Sequence, residues 1–424
     1  MSRNIPLFIA FRVFFNARFY YPVLGVLFLD LGLTLEEYAL LNTVWAATIL
    51  LVEIPSGALA DLVGRKVMVV AAAALMVVEM GVFAFSPPGP WLFPLLILNR
   101  VLSGLAEACA SGADEALAYD SLAGDDRDAQ WRDVLSRLMR WSSGAFFVAM
   151  ILGALVFDRS VMGTLLGLPG LAEGATTRWP VYLTLATSLP ALACALAMRE
   201  SGSAKSGPAH PIRGALANIA AGARFVFSDP RIRMLLLCAV LFDSMVRIFL
   251  TFASNYYRLI GLPEFVNGFL GSLYAVFGFV AASVARRAAV RFSAGAVLTM
   301  VGAMIFIGLT GLGFAVPFWG VWVILPIGLS MPLMQYFLSN YLNAWTESGL
   351  RATVLSFRGV AINLGYGLAG LGFAAVTAAI RRGCPGLPED AIFGHALWSL
   401  PAAFLFGALL LAVTTRIPAQ TRRP

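Results

Sequence analysis

The sequence predicts an all-α integral membrane protein with twelve transmembrane helices in two pseudo-symmetric six-helix bundles. Three observations predict it. Mean hydropathy is +0.82 and only 12% of the 424 residues are charged, about half the share of a soluble domain. Apolar runs near the length a spanning helix needs, about 20 residues, recur along the whole chain. The breaks between them are short and either charged or rich in Pro and Gly. No ten-residue alternating pattern marks a barrel.

The expected spans, in order, are 6–30, 38–60, 66–86, 91–122, 134–157, 179–198, 233–257, 265–285, 292–314, 317–345, 352–380 and 395–415. Each reads as a helix because hydrocarbon offers the backbone no partner, so a segment must satisfy its own N–H and C=O groups. The first, from Ile5 onward, is too long and charged for a cleavable signal peptide and has no small-residue cleavage site after it. The fourth is the most charged. The fifth begins RDVLSRLMR and reads as interfacial. The tenth carries Pro326 and Pro332, which kink a helix.

Net charge is +7. Basic residues in cytoplasmic loops orient a membrane protein. With the N-terminus cytoplasmic, 20 of the 30 Lys and Arg fall in inner segments and 5 in outer loops. The other five, Arg12, Arg18, Arg100, Arg247 and Arg358, lie within spans. This bias accounts for the charge without nucleic acid and places both termini inside, as expected for a bacterial cytoplasmic (inner) membrane protein. Cys109, Cys194 and Cys238 fall in spans and Cys384 in an outer loop, and no spacing marks a disulfide or metal site. His210 and His395 sit at loop positions. No metal and no cofactor is expected, and the chain reads as a monomer in the bilayer.

A repeat divides the chain. LGLTLEEYALLNTVWA (31–46) aligns without gaps on IGLPEFVNGFLGSLYA (260–275), an offset of 229. DVLSRL (133–138) opens the fifth span and TVLSFR (353–358) the eleventh. The expected organisation is a six-helix bundle over 1–198, a cytoplasmic linker over 199–232 and a second bundle over 233–424. Within the linker, HPIRGALANIAAGARFVFSDPRIR is basic with apolar residues at helical spacing, and reads as a helix lying on the membrane face.

Between the second and third spans stands GALADLVGRK, with Gly57, Asp61, Gly64, Arg65 and Lys66. Its glycines permit a tight turn and close backbone approach. The segment resembles the loop signature of the major facilitator superfamily, departing from it at Leu62, where the family usually has arginine. Arg100 and Gly104 resemble that family's fourth-span motif, often linked to proton coupling. The fifth span has Gly144 and Gly153 but no proline, so the Gly-Pro motif of proton antiporters that export drugs is missing. The resemblance implies twelve spans, a central cavity walled by spans one, four, seven and ten, and alternating access. It implies that Asp61 latches one state near the start of the eleventh span, beside Arg351 and Arg358.

The fourth span holds Arg100, Glu107, Asp114, Glu115 and Asp120. Arg100, Glu107 and Asp114 are seven apart, so a continuous helix puts them on one stripe that lipid cannot accept. Matching depths along antiparallel spans pairs Arg12 with Asp114 and Arg18 with Glu107. Arg12 and Arg18 differ by about 120° around the helix, so one of them faces the cavity, and Asn16 shares the face of Arg12. In the seventh span, Asp243 and Arg247 are four apart and can pair. Gln335 and Asn340 line the tenth. Asp120 reads as a structural partner of Arg65, and Glu115 as structural. Glu79 reads as a lone structural or lipid-edge acid, and Glu53 as a buried one.

These residues point to a secondary active transporter of a small molecule, proton-coupled and more readily an exporter than an importer or uniporter. No Gly-x-x-x-x-Gly-Lys loop exists to bind nucleotide. No Ser/His/Asp set supports an intramembrane enzyme, and a sensor without flux is the remaining rival. Glu107 is the favoured proton carrier, followed by Asp114, then Asp243 and Glu53.

Overall fold

The computed structural model describes residues 3–122, 126–168, 170–200, 211–346 and 348–414. Among them the ordered structure is helical, with no strand. The first half runs α1 (Asn4–Asn16), α2 (Leu24–Asp30), α3 (Leu35–Val63), α4 (Arg65–Phe85), α5 (Leu92–Ala110), α6 (Ala113–Asp120), α7 (Arg127–Phe157), α8 (Arg159–Leu165) and α9 (Trp179–Ala197). The second runs α10 (Pro211–Ser228), α11 (Pro230–Leu259), α12 (Val266–Arg291), α13 (Ala294–Gly313), α14 (Ile324–Trp345), α15 (Ser348–Gly383), α16 (Glu389–Leu397) and α17 (Ser399–Thr414). His395, expected in a loop, lies on α16.

Among the described residues, ten helical segments are long and apolar enough to cross a membrane, and the bent α12 makes eleven. The expected first span, 6–30, is the remaining one. It is broken: α1 stops at Asn16, Tyr21–Val23 forms a 3-10 turn, and α2 resumes. A broken span leaves backbone groups without helical partners, which hydrocarbon penalises. Neighbours supply them here. Thr184 of α9 accepts from the Phe19 N–H at 3.0 Å, and the Thr187 hydroxyl donates to the Ala17 carbonyl at 3.5 Å. Gly153 of α7 lies against the Phe19 carbonyl, closer than any Cβ would allow.

The expected fourth span is broken as well. Gly112 adopts φ +76° between α5 and α6, a conformation glycine reaches without strain. Helix starts follow local chemistry: Asp158 caps α8, Asp229 caps α11 ahead of Pro230, and Ser293 caps α13. At the far end of α4, Arg178 donates to the carbonyls of Phe83, Ala84 and Ser86. Burial holds its guanidinium below the ordinary arginine value.

The chain forms two compact units. The first comprises Met1–Leu33, Val44–Ala215 and Pro263–Ser272; the second comprises Thr34–Thr43, Leu216–Leu262 and Leu273–Pro424. Each unit thus includes a ten-residue segment from the other half of the sequence. Adding the 229-residue offset of the repeat to 34 and 43 gives 263 and 272, so the two segments are equivalent by sequence.

Both segments dock through small residues, the usual way spanning helices approach closely. In the first unit, Gly268 sits against the Met150 carbonyl and Ile151 Cα, where an added Cβ would stand 2.5 and 2.8 Å from them. Asp158 Oδ2 accepts from the Phe265 N–H at 3.1 Å. In the second unit, Thr43 packs against Gly370, and its hydroxyl reaches the Gly367 carbonyl at 3.4 Å. The Tyr38 hydroxyl donates to the Thr251 carbonyl at 2.8 Å, and Arg381 bridges Glu36 and Glu389 at 2.6 Å each.

Candidate functional site

In the first unit, polar chemistry gathers at three depths. The first is the α5–α6 break. Asp114 stands in the opening turn of α6, where the helix dipole favours negative charge, and Oδ1 accepts from the Glu115 N–H at 2.7 Å. Its residue surface is 1% exposed, and it forms an ion pair with Arg12 of α1. Arg12 also reaches Glu115 at 3.4 Å. Glu115 is half exposed and Asn16 is exposed. One guanidinium thus lies between two carboxylates, one dry and one wet.

The second lies at the break of the first span. Arg18 pairs with Glu79 of α4, and both are buried, at 5% and 0% exposure. The Phe15 ring lies 5.4 Å from the guanidinium. Below them Asn99 Nδ2 donates to the Glu79 carbonyl at 2.7 Å, while Asn99 Oδ1 accepts from Arg100 Nη2 at 2.7 Å. Arg100 also faces the Phe28 and Phe83 rings, 5.5 and 6.0 Å from its guanidinium carbon, a cation–π cradle that offsets part of its burial.

This overturns four sequence expectations. Arg18 does not meet Glu107; the break turns it to Glu79, which is a core partner and not a lipid-edge acid. Glu107 is half-buried with no ion pair among the described residues. The stripe of Arg100, Glu107 and Asp114 is not continuous, because the Ser111–Gly112 break rotates α6 relative to a straight helix. Glu53, expected buried, is exposed on α3.

The third is the GALADLVGRK loop. Gly64 takes φ +99° between α3 and α4. Arg65 pairs with Asp120, as the sequence implied. Glu200, from beyond α9, occupies the space a Cβ on Gly64 would need, and accepts from the Lys66 N–H at 2.9 Å. It caps α4, a role no sequence pattern announced. Asn4 ties the same end together: its Nδ2 donates to Ser121 Oγ at 2.7 Å and to the Arg199 carbonyl at 2.8 Å, while its Oδ1 accepts from the Arg199 N–H at 2.9 Å. The side chains of Asp61 and Arg351 lie outside the described residues, and with them the expected Asp61 latch.

In the second unit, α11 carries Asp243 and Arg247 one turn apart. Arg247 Nη2 lies 2.8 Å from Asp243 Oδ2. Arg247 Nη1 donates to Asn363 Oδ1 at 3.1 Å, and its guanidinium sits 4.9 Å from the Tyr366 ring, both on α15. The Tyr366 hydroxyl lies 2.8 Å from Thr251 Oγ1. Arg358 of α15 donates to Gln335 of α14. Asp243 and Gln335 line one small cavity of about 10 Å3 with Ser330 and Met334. Asn340 is exposed. Asn363 and Tyr366 were missed by sequence reading, which noted only charges; an Asn and a Tyr three apart in an apolar span were the available signal.

Among the described residues no group of His, Cys, Asp or Glu has the geometry to hold a metal. What both units offer is acid–arginine pairs inside spans. Such pairs can exchange partners or a proton when a helix moves, and they present polar atoms to a solute.

None of the curated proteins matches the chain. A family model described as Major Facilitator Superfamily matches residues 7–370. Solved structures share the fold at low identity. The nucleoside transporter NupG is 12% identical, with TM-score 0.76 over 98% of this chain and 100% of that one. A bacterial homologue of the human lysosomal transporter Spinster, inward-facing and unoccupied, is 16% identical, with TM-score 0.68 over 97% and 95%. A D-xylose-proton symporter is 13% identical, with TM-score 0.67 over 96% of each chain.

Proposed function

The chain belongs to the Major Facilitator Superfamily; it is a transporter and not an enzyme, and we propose that it exports a small organic solute in exchange for protons. The observation that carries the proton coupling is the Arg12–Asp114 pair. A carboxylate at membrane depth costs a few kcal/mol unless paired or protonated. Beside Arg12 and at the start of α6, a negative charge on Asp114 has a cationic partner and a favourable helix dipole. Parted from Arg12 in a low-dielectric surround, the neutral acid is favoured and a proton binds. Glu115, within reach of the same guanidinium, provides Arg12 with a second acid. Asp114 therefore replaces Glu107 as the first candidate for the coupling group, with Glu107 and Asp243 behind it.

Arg247, Asn363, Tyr366, Gln335 and Arg358 form the solute-facing set in the second unit under this reading. Arg100 and Arg18 are structural neighbours of Glu79 first. The Asp61 loop gates. The protein acts as a monomer in a bacterial inner membrane with both termini cytoplasmic, and the export direction rests on the GALADLVGRK loop.

The test starts from a thermal-shift screen for a stabilising solute, followed by flux in proteoliposomes with and without a pH gradient. Asp114→Asn keeps shape but cannot release a proton. It should abolish gradient-driven movement and leave solute exchange intact. Full pH-dependent accumulation by Asp114→Asn would exclude Asp114, and the same result for Glu107→Gln and Asp243→Asn would exclude proton coupling at these pairs. Labelling of single cysteines at Pro88 and Asp126, on a cysteine-free background, tests the orientation: only Asp126→Cys should react from the cytoplasmic side.

A further inference from the structure

The two exchanged segments, 263–272 and 34–43, are held at their starts in the same way. The first N–H groups of a helix have no acceptor within it. Phe265 stands one residue before α12, and its N–H donates to Asp158 Oδ2 at 3.1 Å. Asp158 lies between α7 and α8, 107 residues away in sequence, and is 3% exposed. Its other oxygen accepts from the Ser160 N–H at 3.0 Å, the Ser160 hydroxyl at 2.7 Å and the Val161 N–H at 3.2 Å. One carboxylate thus caps two helices.

The second unit repeats the device. Leu35 is the first residue of α3, and its N–H donates to Glu389 Oε2 at 3.4 Å. Glu389 opens α16, and Arg381 holds its Oε1 at 2.6 Å. Leu35 displaced by the 229-residue offset falls on 264, next to Phe265. α8 follows the fifth span as α16 follows the eleventh. Counted along the spans, α3, α8, α12 and α16 all begin on one membrane face, the one opposite Asn4. Neither α3 nor α12 stays in the unit that holds its start: α12 passes to the second unit after Ser272, and α3 to the first after Thr43. Each carboxylate therefore ties a helix start to one unit while the rest of that helix belongs to the other. Movement of one unit against the other, as alternating access requires, pulls on both ties.

We propose that Asp158 and Glu389 are paired latches: each grips an exchanged helix by a backbone amide at its start, and both let go before the solute path opens to the face opposite the N-terminus. The latches rest on transport by alternating access, and on neither export nor proton coupling. A cleft of about 520 Å3 lined by Arg159, Thr164 and Glu264 borders Asp158. It admits water to the parting groups, so release is reversible.

Asn267 can report release of the first segment. It is 2% exposed and its Oδ1 has no hydrogen-bond donor, so Asn267→Cys takes no bond from that oxygen. On a cysteine-free background, a hydrophilic maleimide labels position 267 of the purified full chain when the segment parts. Asparagine has one acceptor oxygen where aspartate has two. Asp158→Asn keeps the cap of α8, since asparagine caps as well as aspartate, and drops the Phe265 amide. It should speed labelling roughly tenfold, the lower end for a hydrogen bond to a charged group. Glu389→Ala acts in the other unit, yet should speed labelling at 267 roughly threefold, its bond being longer. Ser160→Ala, which leaves Oδ2 on Phe265, and Arg381→Gln, which leaves Oε2 on Leu35, should change nothing. An unchanged rate in Asp158→Asn, or an equal rise in Ser160→Ala, would overturn the latch on α12. An unchanged rate in Glu389→Ala, or an equal rise in Arg381→Gln, would overturn the pairing. The same rates are expected whether or not flux proves proton-coupled. If Asp158→Asn does not fold, Glu389→Ala, at a partly exposed side chain, still decides.

Discussion

The buried Arg18–Glu79 pair can be probed by removing one partner and then both. Glu79 has no exposed surface and Arg18 is 5% exposed, so water cannot take over when either is lost. Glu79 Oε2 has no hydrogen-bond donor even in the native structure, leaving Arg18 as the main compensation for its charge. Arg18→Met strands that charge, and breaking such a pair costs about 3–5 kcal/mol. Glu79→Met strands the guanidinium, with the Phe15 ring and a long contact to the Tyr20 hydroxyl at 3.5 Å left beside it, at a similar cost. Replacing both with methionine removes both desolvation penalties, and the double variant should fall within about 1 kcal/mol of the wild type. Unfolding in mixed dodecyl maltoside–SDS micelles, followed by circular dichroism, measures all four corners of the cycle. Glu107→Gln is the internal control, at about 0.5 kcal/mol for a half-buried group without an ion pair. The reasoning fails if Arg18→Met costs under about 1 kcal/mol, or if Glu107→Gln costs several, since that would restore the pairing by depth.

Further outcomes follow from other contacts. Gly153→Val drives a branched side chain into the Phe19 backbone carbonyl and should abolish folded protein by size-exclusion chromatography, whereas Gly144→Val, with open space around it, should purify normally. Arg381→Gln frees both Glu36 and Glu389; for partly exposed pairs the stability loss should be about 1 kcal/mol, with faster amide exchange confined to Thr34–Thr43. Asp229→Ala removes the cap of α11 and should cost about 0.5–2 kcal/mol near neutral pH. Burial raises the proton affinity of Asp229, but hydrogen bonds from Arg231 outweigh it and hold its carboxyl below the usual range. Its contribution is therefore present above the unfolded value of about 3.9 and lost as pH falls through the lower folded value. Wild type and Asp229→Ala should converge in stability at acid pH; a gap that persists there would show that the cap does not act through its charge.

Composition and periodicity alone determined the class of this protein. Hydrocarbon enforces self-satisfied backbones, so long apolar runs become helices whatever surrounds them, and the positions of most spans were legible. The 229-residue repeat was legible too, and the fold then used that repeated stretch, 34–43 and 263–272, in equivalent ways. Arg65–Asp120 and Arg12–Asp114 could be anticipated because they depend only on which residues share a depth. The breaks could not. A helix that stops at Asn16 or turns at Gly112 does so because Thr184, Thr187, Gly153 and the αL glycine make the interruption affordable, and those residues meet only in three dimensions. One break sends Arg18 to Glu79 and leaves Glu107 without an ion pair among the described residues; the other sets Asp114 at a new helix start. Depth along an ideal helix is a property of sequence, but the direction a side chain takes after a break is set by what packs against it.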